Sequence, residues 1–376
     1  MEASSAEPRQ YVAELLGALL RCSLPAAGTL GGGRAALVRS GRAPQLIAAS
    51  LRTSPTSRRP DFDRIRQQVT DRWGEFAAFS DRLPAEPPEL SMAFARRSFG
   101  WLAFAFGGAG HPLVVCKVAS GRTSALEREA RVLQELRGYP FAPRHLGVFG
   151  ATWVQEGVAG LPLRLQPLPP GCGVGDLAWD LPVQGAVGAL VELARRPVAT
   201  AARAEQDAGV PSADGSWMSS RTRAEVVAAL GRVREGVPGV VRHSDMGPQN
   251  SLDVRGDFRG FIDWETGTVG TAGMDVLQLV LSIFEQRTAL RTFDEATVLE
   301  RFRAAWTQAP LFREGRRAVG RVLSAAGAPP GLAPDVAVAF FHERLHQRVL
   351  HPSGFLVSRR LAAGMLEHVV SAPAPG

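Results

Sequence analysis

The chain has 376 residues, 45% of them hydrophobic, and its 43 basic residues exceed its 36 acidic ones by enough for a net charge of +7. That length suits one large two-lobed domain or two ordinary ones around a sizeable core, and no run of eighteen apolar residues offers a membrane span. The positive charges are scattered rather than clustered, which argues against a nucleic-acid partner; three widely spaced cysteines (Cys22, Cys116, Cys172) argue against a disulfide framework and for a reducing cytoplasm.

The first residues, MEASSAEPRQYVAELLGALLRC, carry an early acid and no basic n-region, so they do not read as a signal peptide. Helical spacing of apolar residues predicts a helix near 9–21, and a strand–turn–strand follows at 35–38 and 46–49 around a Ser-Gly-Arg turn. Residues 58–82 read as a charged amphipathic helix and 84–88 as a proline-rich linker, so 1–88 forms an N-terminal extension. Two apolar runs at 101–106 and 113–118, separated by the glycine-rich 107–111, predict a hairpin. A helix is predicted over 123–137, with Ala125, Val132, Leu133 and Leu136 on its apolar side, then a strand over 151–156. Turn-rich sequence (157–170) and helical segments up to 235 lead to short strands or loops at 240–245, 251–254 and 258–262; from 274 onward the pattern is helical. The expected division is a small lobe over 89–160 and a larger helical lobe over 161–376. Residues 34–51 resemble 101–119, and each precedes a charged helix, which makes the extension a candidate degenerate copy with Ala49 in the slot of Lys117.

Composition singles out two residues. Arginine supplies all but one of the basic side chains; the only lysine is Lys117 and the only asparagine is Asn250. A sequence that has nearly eliminated two residue types keeps one of each where chemistry admits no substitute.

The densest polar motif is His243-Ser244-Asp245-Met246-Gly247-Pro248-Gln249-Asn250, followed by Phe261-Ile262-Asp263-Trp264-Glu265. Phosphoryl transfer needs a carboxylate near the attacking hydroxyl and oxygen ligands for the magnesium that bridges the phosphates. A loop presenting Asp245 and Asn250 can supply one of each, and a hairpin can return Asp263 thirteen residues later to the same metal. Upstream, Lys117 sits in the apolar strand Val114-Val115-Cys116-Lys117-Val118, where an ammonium needs an anionic partner.

These motifs resemble the aminoglycoside phosphotransferase and choline kinase family, which has a protein-kinase-like fold. The family's loop reads His-Gly-Asp-x-x-x-x-Asn, then Ile-Asp-(Phe/Trp), then a glycine-rich stretch ending in a buried Asp. This chain matches with His243, Asp245 and Asn250, Ile262-Asp263-Trp264, 267–273 and Asp275, and departs at Ser244, where glycine is usual. The resemblance implies a two-lobed α+β fold with a small antiparallel-sheet lobe and a larger, mainly helical one. It also implies an ATP- and Mg²⁺-dependent small-molecule kinase with nucleotide between the lobes. Asp245 would be the catalytic base, Asn250 and Asp263 the metal ligands, and Lys117 the grip on the phosphates. Glu129 on the next helix would pair with Lys117, Glu127 being the alternate. A hinge near Gln155, Glu156 and Gly157 would read adenine through the backbone, and Asp275 would bond the catalytic loop from the start of a helix. The phosphate-covering loop is expected near 96–100, and 107–110 is expected as a plain hairpin turn.

Other readings stay open. His342-Glu343-Arg344-Leu345-His346 matches a zinc-hydrolase pattern, with Glu367 as third ligand. A kinase-like binding protein without catalysis is another alternative. The expected acceptor is a small molecule with a hydroxyl group, and neither nucleic acid nor membrane is an expected partner. Arginines such as Arg313, Arg316, Arg317, Arg344 and Arg348 favour a neutral or anionic one.

Overall fold

In a computed structural model of the chain, residues 35–40, 43–48, 61–97, 100–107, 111–121, 123–163, 165–169, 171–196, 218–288, 293–346 and 359–372 are described. The chain divides into two compact units. The first comprises Met1–Pro162, Ser251–Arg255 and Arg259–Thr266; the second comprises Leu163–Asn250, Gly256–Phe258 and Gly267–Gly376. The α+β class expected from the sequence is what the fold shows, with a sheet in one unit and helices dominating the other.

The sheet of the first unit has seven strands: β1 (Ala35–Ser40), β2 (Ala43–Ala48), β3 (Ser91–Arg97), β4 (Gly100–Phe106), β5 (Pro112–Ala119), β6 (His145–Phe149) and β7 (Thr152–Glu156). Their order is β1-β2-β3-β4-β5-β7-β6. The predicted hairpins are β1–β2 and β4–β5, both antiparallel. The sheet is not wholly antiparallel: β2 runs parallel to β3. The intervening chain is long enough for the crossover that a parallel pair requires, and it contains two helices.

Those helices, α1 (Phe62–Asp71) and α2 (Trp73–Phe79), cover the single helix expected over 58–82, interrupted at Arg72. Ile65, Val69, Trp73 and Phe76 nevertheless keep one apolar stripe across the break, as their i, i+4, i+8, i+11 spacing requires. The stripe shares a buried cluster with Met92, Trp101, Ala103, Val114, Cys116 and Val154 of the sheet. The Trp73 indole N–H also donates to Pro84 O at 2.8 Å. The described residues of 35–88 and those of 89–160 therefore lie within one compact unit. The helix expected near 9–21 and the Ala49 slot lie outside the described residues.

Helix α3 (Ser124–Glu135) buries Leu126, Glu129 and Leu133. A hairpin of β10 (Ser251–Val254) and β11 (Asp257–Phe261), with β8 (Leu161–Pro162) alongside β10, forms a three-stranded sheet. Its turn has Arg255 at φ 54° and Gly256 at φ 87°, the two positive values of a tight two-residue hairpin turn.

The second unit contains α4 (Leu181–Ala194), α5 (Ser220–Gly236), α6 (Met274–Arg287), α7 (Glu295–Gln308), α8 (Pro310–Ala325), α9 (Ala333–His346) and α10 (Arg359–Ser371). Helix α6 is buried on every side from Met274 to Phe284, the mark of a central core helix. Phe284, Phe302 and Phe312 pack edge-to-face within 5.4–6.1 Å, beside Trp306 and Phe341. A short antiparallel pair, β9 (Gly239–Arg242) with β12 (Thr268–Thr271), carries the polar motif. None of the described helices is long and apolar enough to cross a membrane.

Truncating Trp73 tests whether α1 and α2 belong to the sheet's core. Trp73→Ala should cost about 3–5 kcal/mol in urea unfolding, the usual scale for a buried aromatic. A loss below about 1 kcal/mol would separate these helices from the core.

Candidate active site

In the first unit, Lys117 lies at the centre of β5, cross-strand from Leu102 on β4 and Trp153 on β7, and is only 4% exposed. Its ammonium stands 2.7 Å from Glu129 Oε2, 3.0 Å from Asp263 Oδ1 and 2.9 Å from Glu265 Oε1. Glu129 reaches it from α3 and also accepts the Trp264 N–H at 3.2 Å. Glu127, the alternate, instead accepts from the Thr123 hydroxyl at the helix start. Asp263 adopts φ 67°, a left-handed backbone that turns the chain as it leaves β11. Trp264 is fully buried and packs edge-to-face on Phe261, whose own ring meets Phe141. Phe261 N donates to Phe141 O at 2.7 Å, so the segment carrying both acids is anchored to the unit's core.

Three carboxylates share one ammonium. Burial alone would lower the lysine's pKa, but Glu129, Asp263 and Glu265 outweigh it and push the pKa up. Glu129 is pushed up to about 7, first by burial and then by Asp263 and Glu265, with Lys117 pulling the other way. Three carboxylates against one ammonium leave the cluster with surplus negative charge. Glu265 was not singled out from the sequence. Its only signal was its place two residues after Asp263, within the short turn Trp264–Thr266.

The residues expected to form a hinge, Gln155, Glu156 and Gly157, lie at the end of β7. Gln155 and Glu156 are buried, and Glu156 accepts from the Ser80 hydroxyl and from Arg82 Nη1 at 2.9 Å. The Glu156 and Gly157 N–H groups are committed to Arg144 O (2.8 Å) and Leu113 O (2.7 Å), so these two donors are not the ones that would read an adenine. A Cβ at Gly157 would stand 1.9 Å from Pro112 O, which explains the glycine. The tips of the loops expected to cover phosphates (98–99) and to form the plain turn (108–110) lie outside the described residues.

In the second unit, β9 delivers His243-Ser244-Asp245, and β12 leads through Gly273 into α6. Gly273 is left-handed at φ 89°, and a Cβ there would meet Val319 at 2.9 Å. The first turn of α6 presents Asp275, whose Oδ2 accepts the His243 N–H at 2.6 Å and whose Oδ1 accepts the Ser244 N–H at 3.1 Å. Asp275 thus bonds the loop from the start of a helix, as the resemblance implied. Ser244 adopts φ 62°, which accounts for the glycine usual in that slot. Asn250 donates through Nδ2 to Asp245 O at 2.8 Å and to Asp245 Oδ2 at 3.3 Å. An aspartate at 250 would repel that carboxylate instead of donating to it, which gives the lone asparagine a physical reason. Met246 is fully buried, and its carbonyl accepts from Ser282 at 3.3 Å.

The zinc-hydrolase pattern lies on α9. His342 is buried and Glu343 is paired with Arg242 at 3.2 Å. No group of three His, Cys, Asp or Glu side chains able to hold a metal occurs among the described residues. Structural zinc sites use four protein ligands and catalytic ones three. The His346 side chain lies outside the described residues.

No family model and no curated protein matches the chain. Among solved structures, a macrolide 2'-phosphotransferase from Brachybacterium faecium is 17% identical, covering 82% of this chain and 100% of its own, with a TM-score of 0.40. A thermostable mutant of an aminoglycoside phosphotransferase, solved with ADP and hygromycin B, is 17% identical, covering 82% and 100%, with a TM-score of 0.44. An ethanolamine kinase from Plasmodium vivax is 14% identical, covering 67% and 81%, with a TM-score of 0.34. At these identities and TM-scores the likenesses decide nothing about this chain's chemistry.

Ser244 provides a test of the loop geometry. A left-handed non-glycine residue costs about 1–2 kcal/mol, partly offset by the chain entropy a glycine loses on folding. Ser244→Gly should therefore stabilise the protein by about 0.5–1 kcal/mol in chemical denaturation. A destabilisation of the same size would mean that Ser244 is not left-handed in solution.

Proposed function

We propose that the chain is an ATP-dependent phosphotransferase that moves a phosphoryl group to a hydroxyl of a small molecule. The observation that carries this reading is the convergence of Glu129, Asp263 and Glu265 on the only lysine, across sequence separations of 12, 146 and 148 residues. A purely structural salt bridge needs one acid. Three acids around one ammonium leave an excess of negative charge, which favours a cation there and hence the polyphosphate it accompanies.

In this reading Lys117 grips the nucleotide's phosphates and Glu129 holds it in place. Asp263 is a metal ligand, with Asn250 assigned to the metal from the motif's spacing. Asp263, with Asn250, would hold a divalent cation such as Mg²⁺, which would supply charge neutralisation for the transfer. Asp245 orients the acceptor hydroxyl and takes its proton, and the Asn250 amide restrains that carboxylate. The chain's own contribution is positioning and electrostatics, with no covalent intermediate. Where 155–157 lies against an adenine, carbonyl oxygens rather than the Glu156 and Gly157 N–H groups would read it.

The deciding experiment is phosphate transfer from ATP across a panel of sugars, aminoglycosides, amino alcohols and macrolides. Asp245→Asn should keep the melting temperature and ATP affinity while cutting turnover by about 10²–10⁴. Turnover within a few-fold of wild type would remove Asp245 from the mechanism. Asp263→Ala should weaken magnesium dependence and nucleotide binding together.

Lys117→Arg keeps the charge in a protein that uses arginine everywhere else. The guanidinium is a broad planar fork, whereas three carboxylates within 3.0 Å of one point fit a compact ammonium. The variant should fold with a similar melting temperature and lose on the order of 10²-fold in rate. Near-normal turnover would show that this position needs only a positive charge.

A further inference from the structure

Strand β9 buries Val240 and Val241 and then places an arginine, Arg242, immediately before His243. Arg242 is only 6% exposed. Its Nη1 stands 3.2 Å from Glu343 Oε2 on α9, and its Nε stands 3.6 Å from Asp275 Oδ1. Burial works against its charge, but Glu343 and then Asp275 outweigh it and raise the guanidinium's pKa. Asp275 in turn takes the His243 and Ser244 N–H groups. One continuous line of contacts therefore runs from α9 through β9 to the backbone that precedes Asp245.

Stability alone gives little reason for this arrangement. Buried ion pairs can often be replaced by apolar side chains without loss, because desolvation cancels much of their attraction. Geometry is a better reason. The backbone at Ser244 is in a conformation that a serine leaves readily, and Asp275 holds it there only while both its oxygens stay aimed at the two N–H groups. Arg242 flanks the same carboxylate and is itself fixed by Glu343, so the carboxylate cannot swing away.

We propose that Glu343–Arg242–Asp275 is a positioning relay that holds the left-handed turn at Ser244 and so sets the aim of Asp245. Arg242 and Glu343 are positioning residues that touch no substrate. The effect on turnover rests on the phosphotransferase reading; the effect on the backbone does not.

The test uses the full chain and the double variant R242M/E343L, which replaces the pair by apolar side chains of similar size. Thermal melting, site-resolved amide hydrogen exchange and ATP turnover are measured together. The double variant should melt within a few degrees of wild type, while exchange at the His243 and Ser244 amides speeds up at least tenfold and that at Val240 and Val241 stays unchanged. The kcat should fall roughly 10–100-fold, the scale of a misplaced catalytic group, with KM for ATP within about threefold. If the double variant melts early, E343Q carries the same comparison with Arg242 and the side-chain volume retained. R242K should recover only part of the protection, because an ammonium cannot flank both carboxylates as the fork does. Unchanged protection at 243–244 overturns the relay. Faster exchange with kcat within threefold of wild type overturns its role in aiming Asp245. A wild-type protein that turns over no acceptor in the panel sinks the phosphotransferase reading instead, and amide exchange then judges the relay by itself.

Discussion

A single ammonium in the interior of a β-strand governs the first unit. Left unpaired, Lys117 would cost several kcal/mol of desolvation, so the fold has to bring anions to it. Glu129 comes from α3, which therefore lies against the sheet with this acid turned inward. Asp263 and Glu265 come from far along the chain, which explains why Ser251–Arg255 and Arg259–Thr266 belong with the N-terminal unit. The anchors that deliver them are apolar and backbone contacts: buried Trp264 and the Phe261 N–H bond to Phe141.

Carboxylates do different work in the two units, and their surroundings decide which. Around Lys117 three acids crowd one cation, and burial with like charge raises Glu129 to about 7. Asp275 is equally buried but takes two backbone N–H groups, which satisfy its charge and make it a clamp. Glu343 lies half-buried on α9 and faces the Arg242 guanidinium, which compensates its charge.

Legibility followed contact range. The β4–β5 hairpin could be read because two apolar runs flank a glycine-rich turn, and α3 because its apolar residues recur at helical spacing. The pairing of Lys117 with Glu129 and the clamp by Asp275 were implied by the family resemblance, whereas the left-handed angle at Ser244 came only from the structure. The break at Arg72 was missed because the apolar stripe runs through it undisturbed. The parallel β2–β3 contact was missed because strand order leaves no mark on either strand's own pattern.

Taken alone, the sequence determined the hairpins, the α3 helix and the loop that presents Asp245 with Asn250. Each follows from spacing along a short stretch of chain, where backbone geometry leaves few alternatives. Only the tertiary structure decided that α1 and α2 share the sheet's core, that Glu265 joins Asp263 on the lysine, and that Arg242 stands between Asp275 and Glu343. These partners lie tens to well over a hundred residues apart, and their meeting depends on how apolar faces pack, which no local spacing encodes.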